Sequence, residues 1–134
     1  MQERTPLFRK IDCYRLPVLN LDEGLQFYRD KLGHPLIWRS ETAAGLRLGG
    51  LELVLQTERP EQETDLLVDS VDDAVERFVE AGGRVLAPPF EIQIGKCAVV
   101  EDPFGNALVI LDLGKGLLTT DAEGNVTGNE PLAD

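Results

Sequence analysis

The leucines of Leu51-Glu52-Leu53-Val54-Leu55-Gln56 alternate with Glu52, Val54 and Gln56, the period of a strand with one apolar face. Ile11 to Val18 reads the same way, with Tyr14, Leu16 and Val18 on one face and Cys13, Arg15 and Pro17 on the other. Between these two runs the period changes. Asn20 followed by Glu23 is a helix start, and Leu21, Leu25, Tyr28 and Leu32 follow at helical spacing to a stop at Gly33. Pro35 to Ser40, which contains Trp38, and Ala44 to Leu48 are short strands, and Gly49-Gly50 turns the chain into the leucine run.

The same order returns about fifty residues later. Val18 falls on Val68, Asn20 on Ser70, Leu25 on Val75, Tyr28 on Phe78 and Gly33 on Gly83. Ser70 with Asp73 repeats the helix start, and Val71, Ala74, Val75, Phe78 and Val79 repeat the buried stripe. Arg84 to Leu86 is again a short strand. Val99 to Leu111 is a hairpin whose turn, Asp102-Pro103-Phe104-Gly105-Asn106, presets one φ with proline and frees another with glycine. The pattern predicts an α+β fold of two βαβββ repeats. Residues 1–8 form a lead-in, 9–57 the first repeat, 63–113 the second, and both repeats belong to one domain spanning 9–113. Residues 114–134 have little apolar periodicity and are expected to be an acidic tail, mobile or clasping a partner subunit.

Composition narrows the partners. A chain of 134 residues can bury a core without staples, and 43% hydrophobic with 28% charged residues is ordinary for a globular protein. The net charge of -11 repels phosphate backbones and anionic membrane surfaces. It attracts organic cations, although the same charge also serves solubility. No apolar run approaches the roughly 20 residues of a membrane span. The first residues carry no apolar signal segment, so a cytoplasmic location is expected, with Cys13 and Cys97 as reduced thiols.

The duplicated unit, Phe27-Tyr28 and Leu32-Gly33 at the end of the first helix, Gly82-Gly83 after the second, and the Asp102 to Asn106 turn together resemble the vicinal oxygen chelate superfamily. That group holds glyoxalase I, extradiol dioxygenases, fosfomycin resistance enzymes and bleomycin resistance proteins. The resemblance implies that each repeat curls into half of an incomplete barrel around a concave pocket, commonly within a homodimer. It also implies metal-ligand positions on the first and last strands of each repeat. These fall on Cys13 and Glu63, and on Glu52 and Val109.

Val109 cannot coordinate, and the one histidine, His34, lies outside these strands. The remainder, Cys13, Glu52 and Glu63, suits neither zinc nor magnesium, so no metal cofactor is expected. The pocket lining expected on this basis is Cys13, Arg15, Trp38, Glu52, Val54, Gln56, Glu63, Asp65, Val109 and Leu111. Arg15 could hold a ligand carboxylate or neutralise Glu52 or Asp65, and Glu52 with Glu63 could act as an acid–base pair. The expected function is metal-independent binding of a small cationic or aromatic molecule. The alternative is a lyase or ring-cleaving dioxygenase with a divalent metal on Cys13, Glu52 and Glu63.

Overall fold

The computed structural model describes residues 5–132; residues 1–4 and 133–134, the ends of the lead-in and of the tail, lie outside the described residues. The chain gathers into two compact units. The first contains residues 12–64 and 118–130, and the second 5–11, 65–117 and 131–132 among the described residues. Both are built as strand, helix and three further strands, which is the duplicated α+β pattern expected. No helix among the described residues is long and apolar enough to cross a membrane.

In the first unit β1 (Lys10–Pro17) leads into α1 (Leu21–Leu25), followed by β2 (Leu36–Arg39), β3 (Ala43–Leu48) and β4 (Leu51–Gln56). The strands lie in the order β2-β3-β4-β1, with β1 parallel to β4 and the other pairs antiparallel. Asn20 starts the helix: its side-chain oxygen accepts the Glu23 N–H at 2.7 Å, satisfying one of the donors a helix start leaves open. Leu21 and Leu25 then bury against Ala44, Leu46, Leu53 and Leu55. One sheet face is thus committed to the helix.

The first helix departs from the expected spacing. From Gln26 to Lys31 it widens into a π-helix, and the Leu32 N–H donates to the Phe27 carbonyl five residues back. The widening inserts one residue and rotates the last turn off the core, so Leu32 is 53% exposed instead of buried with Leu21 and Leu25. It also shifts the repeat. The positive-φ glycine that ends the helix is Gly33 in the first unit and Gly82, not Gly83, in the second.

The second unit runs β5 (Glu63–Leu67), α2 (Val71–Glu80), β6 (Arg84–Ile92), β7 (Gly95–Glu101) and β8 (Ala107–Leu111). The order β5-β8-β7-β6 mirrors the first unit, with β5 parallel to β8. Ser70 caps α2 by accepting the Asp73 N–H, and Val71 and Ala74 bury against Ala98, Val100 and Ile110. Gly83 leaves room for Phe78, whose ring would lie 2.2 Å from any Cβ there.

The segment read as a tail folds. β9 (Leu117–Thr120) and β10 (Val126–Glu130) form a two-stranded sheet. Within the first unit its turn covers the edge of β2, where the Arg39 N–H donates to the Gly124 carbonyl at 2.7 Å. That turn, Asp121 to Asn125, repeats the chemistry of Asp102 to Asn106. Asp102 accepts from the N–H groups of Phe104 and Asn106 and from the Asn106 amide, and Asp121 does the same with Glu123 and Asn125.

These bonds favour the ionised carboxylates. The Asn106 side-chain amide holds Asp102, and the Asn125 backbone N–H holds Asp121, below the ordinary 3.8. A carboxyl lowered on folding contributes stability above its unfolded pKa and loses it as pH falls through the folded value. The urea midpoint is therefore expected to fall more steeply from about pH 5 to about pH 2 in the native chain than in the double variant Asp102→Asn, Asp121→Asn. Parallel slopes would remove these turns from the acid response.

Candidate functional site

Strand register defines which side chains share the face of the first unit opposite α1. Cys13 pairs with Glu52, Arg15 with Val54 and Pro17 with Gln56 across β1 and β4. Gly45 pairs with Val54 and Arg47 with Glu52 across β3 and β4, and Trp38 with Gly45 across β2 and β3. Residues opposite one another in a ladder point to the same side. Cys13, Arg15, Trp38, Arg47, Glu52, Val54 and Gln56 therefore all lie on the face turned away from α1.

Within that face the side chains are sorted by chemistry. Cys13, Ala43 and Val54 are buried together, with Trp38 packed against them. The Trp38 indole occupies the space that a side chain at Gly45 would take: a Cβ there would sit 2.1 Å from Nε1. The same Nε1–H donates to Glu52 Oε1 at 2.7 Å. Trp38 and Glu52 are both only half-buried, so the pair stands at the border between the apolar cluster and solvent.

Arg15 is held by Glu58 at 3.2 Å and Glu63 at 3.8 Å. Arg59 reaches the other oxygen of Glu63 at 3.2 Å. Gln56 is buried, but its amide serves the chain itself. It accepts the Glu58 and Arg59 N–H groups and donates to the Arg59 and Glu61 carbonyls, which fixes the loop that leads out of β4. The Tyr14 hydroxyl donates to Gln62 and fastens that loop further. Glu52 and Glu63 are thus engaged with different partners, an indole and two guanidinium groups.

In the second unit Asp65 pairs with Val109 and Leu67 with Leu111 across β5 and β8. Val99 and Cys97 continue the row on β7, opposite Val109 and Leu111. Asp65 and Leu111 are buried and Val109 is half-buried. This face is mostly hydrocarbon, whereas its counterpart in the first unit is charged and aromatic.

The ladders correct one correspondence between the repeats. Arg15 pairs with Val54 in the first unit, and its repeat partner Asp65 pairs with Val109 in the second. The next bonds agree: Val18 N–H donates to the Gln56 carbonyl, and Val68 N–H to the Leu111 carbonyl. Val109 is therefore the counterpart of Val54, and Glu52 is the counterpart of Ala107. The flanking pattern misleads because a strand repeats every two residues, so leucines flank Val54 as they flank Glu52. Both fourth-strand positions at this register are valines. Among the described residues, no group of three or more His, Cys, Asp or Glu side chains is placed to hold a metal ion. The ring Nδ1 of His34 lies 3.0 Å from the Arg47 carbonyl.

Sequence reasoning missed Gly45, Glu58, Arg59 and Gln62. Glu58, Arg59 and Gln62 belong to a loop without apolar periodicity, and their roles come from folding back onto β1. Gly45 carried a signal, because a glycine inside a strand marks the close approach of another group.

The comparisons with known proteins agree with this architecture. The Glyoxalase/Bleomycin resistance protein/Dioxygenase superfamily profile matches residues 10–110, and the chain belongs to that superfamily. A solved structure described as an NAD-dependent benzaldehyde dehydrogenase from Legionella pneumophila is 26% identical, with a TM-score of 0.61 over 75% of this chain and 97% of that one. A variant of homoprotocatechuate 2,3-dioxygenase from B. fuscum is 25% identical, with a TM-score of 0.56 over 81% of this chain but only 33% of its own. Methylmalonyl-CoA epimerase from Mycobacterium tuberculosis, at 16% identity, shares the fold with a TM-score of 0.64 over 83% of this chain and 92% of that one. No curated protein matches the chain.

Proposed function

We propose that this protein binds a small organic molecule on the strand faces opposite its helices and does so without a metal ion. The observation that carries the reading is the pair of valines, Val54 and Val109, at equivalent register on the last strand of each repeat. Where the resemblance to metal-dependent members calls for a carboxylate, a hydrocarbon stands. The donors at the first-strand positions do not repair the loss. Cys13 is packed in an apolar cluster, and Glu63 is paired with Arg15 and Arg59. One thiol, the Glu52 carboxylate bonded to the Trp38 indole and the guanidinium-bound Glu63 do not fit a divalent metal, which wants three or four converging nitrogen, sulfur or oxygen ligands. The remaining surface suits ligand capture, since small-molecule sites combine apolar walls with a few placed polar groups.

On this reading the protein acts as a symmetric dimer in the cytoplasm, where Cys13 and Cys97 stay thiols. The test uses full-length protein purified without chelator. Metal analysis is expected to find far less than one ion per chain. Calorimetry against cationic, neutral and anionic aromatic compounds is expected to give saturable heat that EDTA leaves unchanged. A stoichiometric transition metal, or binding abolished by EDTA, would overturn the reading, as would the absence of heat from the whole panel.

A further inference from the structure

A cavity of about 170 Å³ lies in the second unit between the lead-in and α2, and none of the strand-face residues named above lines it. Asp73 and Arg77 both do. They stand four residues apart on α2 with the acid nearer the N-terminus, the spacing and order at which such pairs ordinarily join. Here they stay apart. Arg77 Nη1 donates to the Thr5 carbonyl at 2.7 Å, a neutral partner, and among the described residues neither side chain makes an ion pair. In a chain with 13 Lys and Arg against 24 Asp and Glu, an arginine without a carboxylate needs a reason. We propose that this cavity binds a free α-amino acid with a small apolar side chain.

The charges select the class of ligand. An anion alone would meet Asp73, Asp69 and the net charge of -11, and a cation alone would meet Arg77. A zwitterion carries no net charge and offers one sign to each group. Its carboxylate suits the Nε and Nη2 side of the Arg77 fork, which carries no other bond among the described residues. Its ammonium suits the Asp73 carboxylate, with Asp69, which faces Arg9 at 3.7 Å, as a second acid in the lining. Pro6, Leu7, Val68 and Ala74 supply hydrocarbon for the side chain. The volume is below the roughly 300–1,000 Å³ of drug-sized sites, so the ligand is small. The helix start itself is spent: Asp112 takes the Val71 N–H and Ser70 the Asp73 N–H. Recognition therefore falls to the side chains.

The experiment titrates the full chain, labelled with nitrogen-15, with L-valine, isobutylamine and 3-methylbutanoate. The last two keep the branched side chain and each lacks one charge. Valine is expected to shift the amides of Leu7 and of Val68 to Arg77, and to bind at least about tenfold more tightly than either comparison compound. Arg77→Gln, which keeps a donor for the Thr5 carbonyl, and Asp73→Asn are each expected to weaken valine about tenfold. No shift from valine, shifts confined to other residues, equal affinity for the three compounds, or unchanged affinity in either variant would overturn the inference. The three compounds are compared on the native chain, so that comparison decides even where a substitution disturbs the fold. None of these outcomes bears on metal-independent binding at the strand faces.

Discussion

Gly45→Ala is expected to cost about 2 kcal/mol of stability and to shift the tryptophan emission to longer wavelength. A Cβ at this position would meet Trp38 Nε1 at 2.1 Å, Cε2 at 2.4 Å and Cδ1 at 2.7 Å, all closer than real contacts allow. The strand cannot retreat, because Gly45 is bonded between β2 and β4 through its register with Trp38 and Val54. The indole must therefore move. Leaving its place separates Nε1 from Glu52 and uncovers the buried cluster of Cys13, Ala43 and Val54. The expected cost divides between that lost apolar contact and strain, in proportions set by how far the ring can swing. Urea unfolding measures the first consequence and emission the second. An alanine variant with native stability and native emission would show that the indole does not depend on the glycine recess.

Much of the fold is legible in the sequence because local and global signals agree. Asn20 and Ser70 start helices where an apolar stripe begins, and Gly105 supplies positive φ in the Asp102 to Asn106 turn. The π-widening after Leu25 is not legible, since an inserted residue in a helix leaves only a slightly imperfect stripe. The hairpin of residues 117–130 has few apolar positions, and its strands are joined through pairs such as Thr119 and Thr127, 3.0 Å apart. Its turn was readable, because Asp121-Ala122-Glu123-Gly124-Asn125 repeats the Asp, Gly and Asn spacing of Asp102 to Asn106.

The candidate site was legible as a set of strand residues and illegible as a geometry. The alternation assigns Cys13, Arg15, Glu52, Val54 and Gln56 to one face, and the ladders agree. Alternation cannot choose between Glu52 and Val54 as the counterpart of Val109, since both are two-residue steps along the same strand. Nor could it show that Gln56 turns to the loop backbone, or that Arg15 takes Glu58 as a partner. Those contacts depend on a loop returning over β1, which no periodic pattern encodes.

Asp112→Ala is expected to be the most damaging single truncation in the second unit, at about 3 kcal/mol. Asp112 is buried, and its carboxylate accepts three backbone donors: Val71 N–H at 2.8 Å on Oδ2, and Lys96 N–H at 3.0 Å and Gly114 N–H at 3.1 Å on Oδ1. One bond seats the first turn of α2, one fixes the start of β7, and one closes the turn after β8. Gly95 leaves the space, since a Cβ there would lie 2.3 Å from Oδ1. Removing the carboxylate strands these donors, and a buried N–H without an acceptor costs more than the bond contributed when made. Asp112→Asn separates the parts. Its single oxygen can serve Lys96 and Gly114, while its amide faces the Val71 N–H and spoils the helix seat. The asparagine variant should therefore lose about half as much stability and should speed hydrogen exchange chiefly in the first turn of α2. Equal losses in the two variants would mean that the negative charge, not the three-way geometry, is what the site requires.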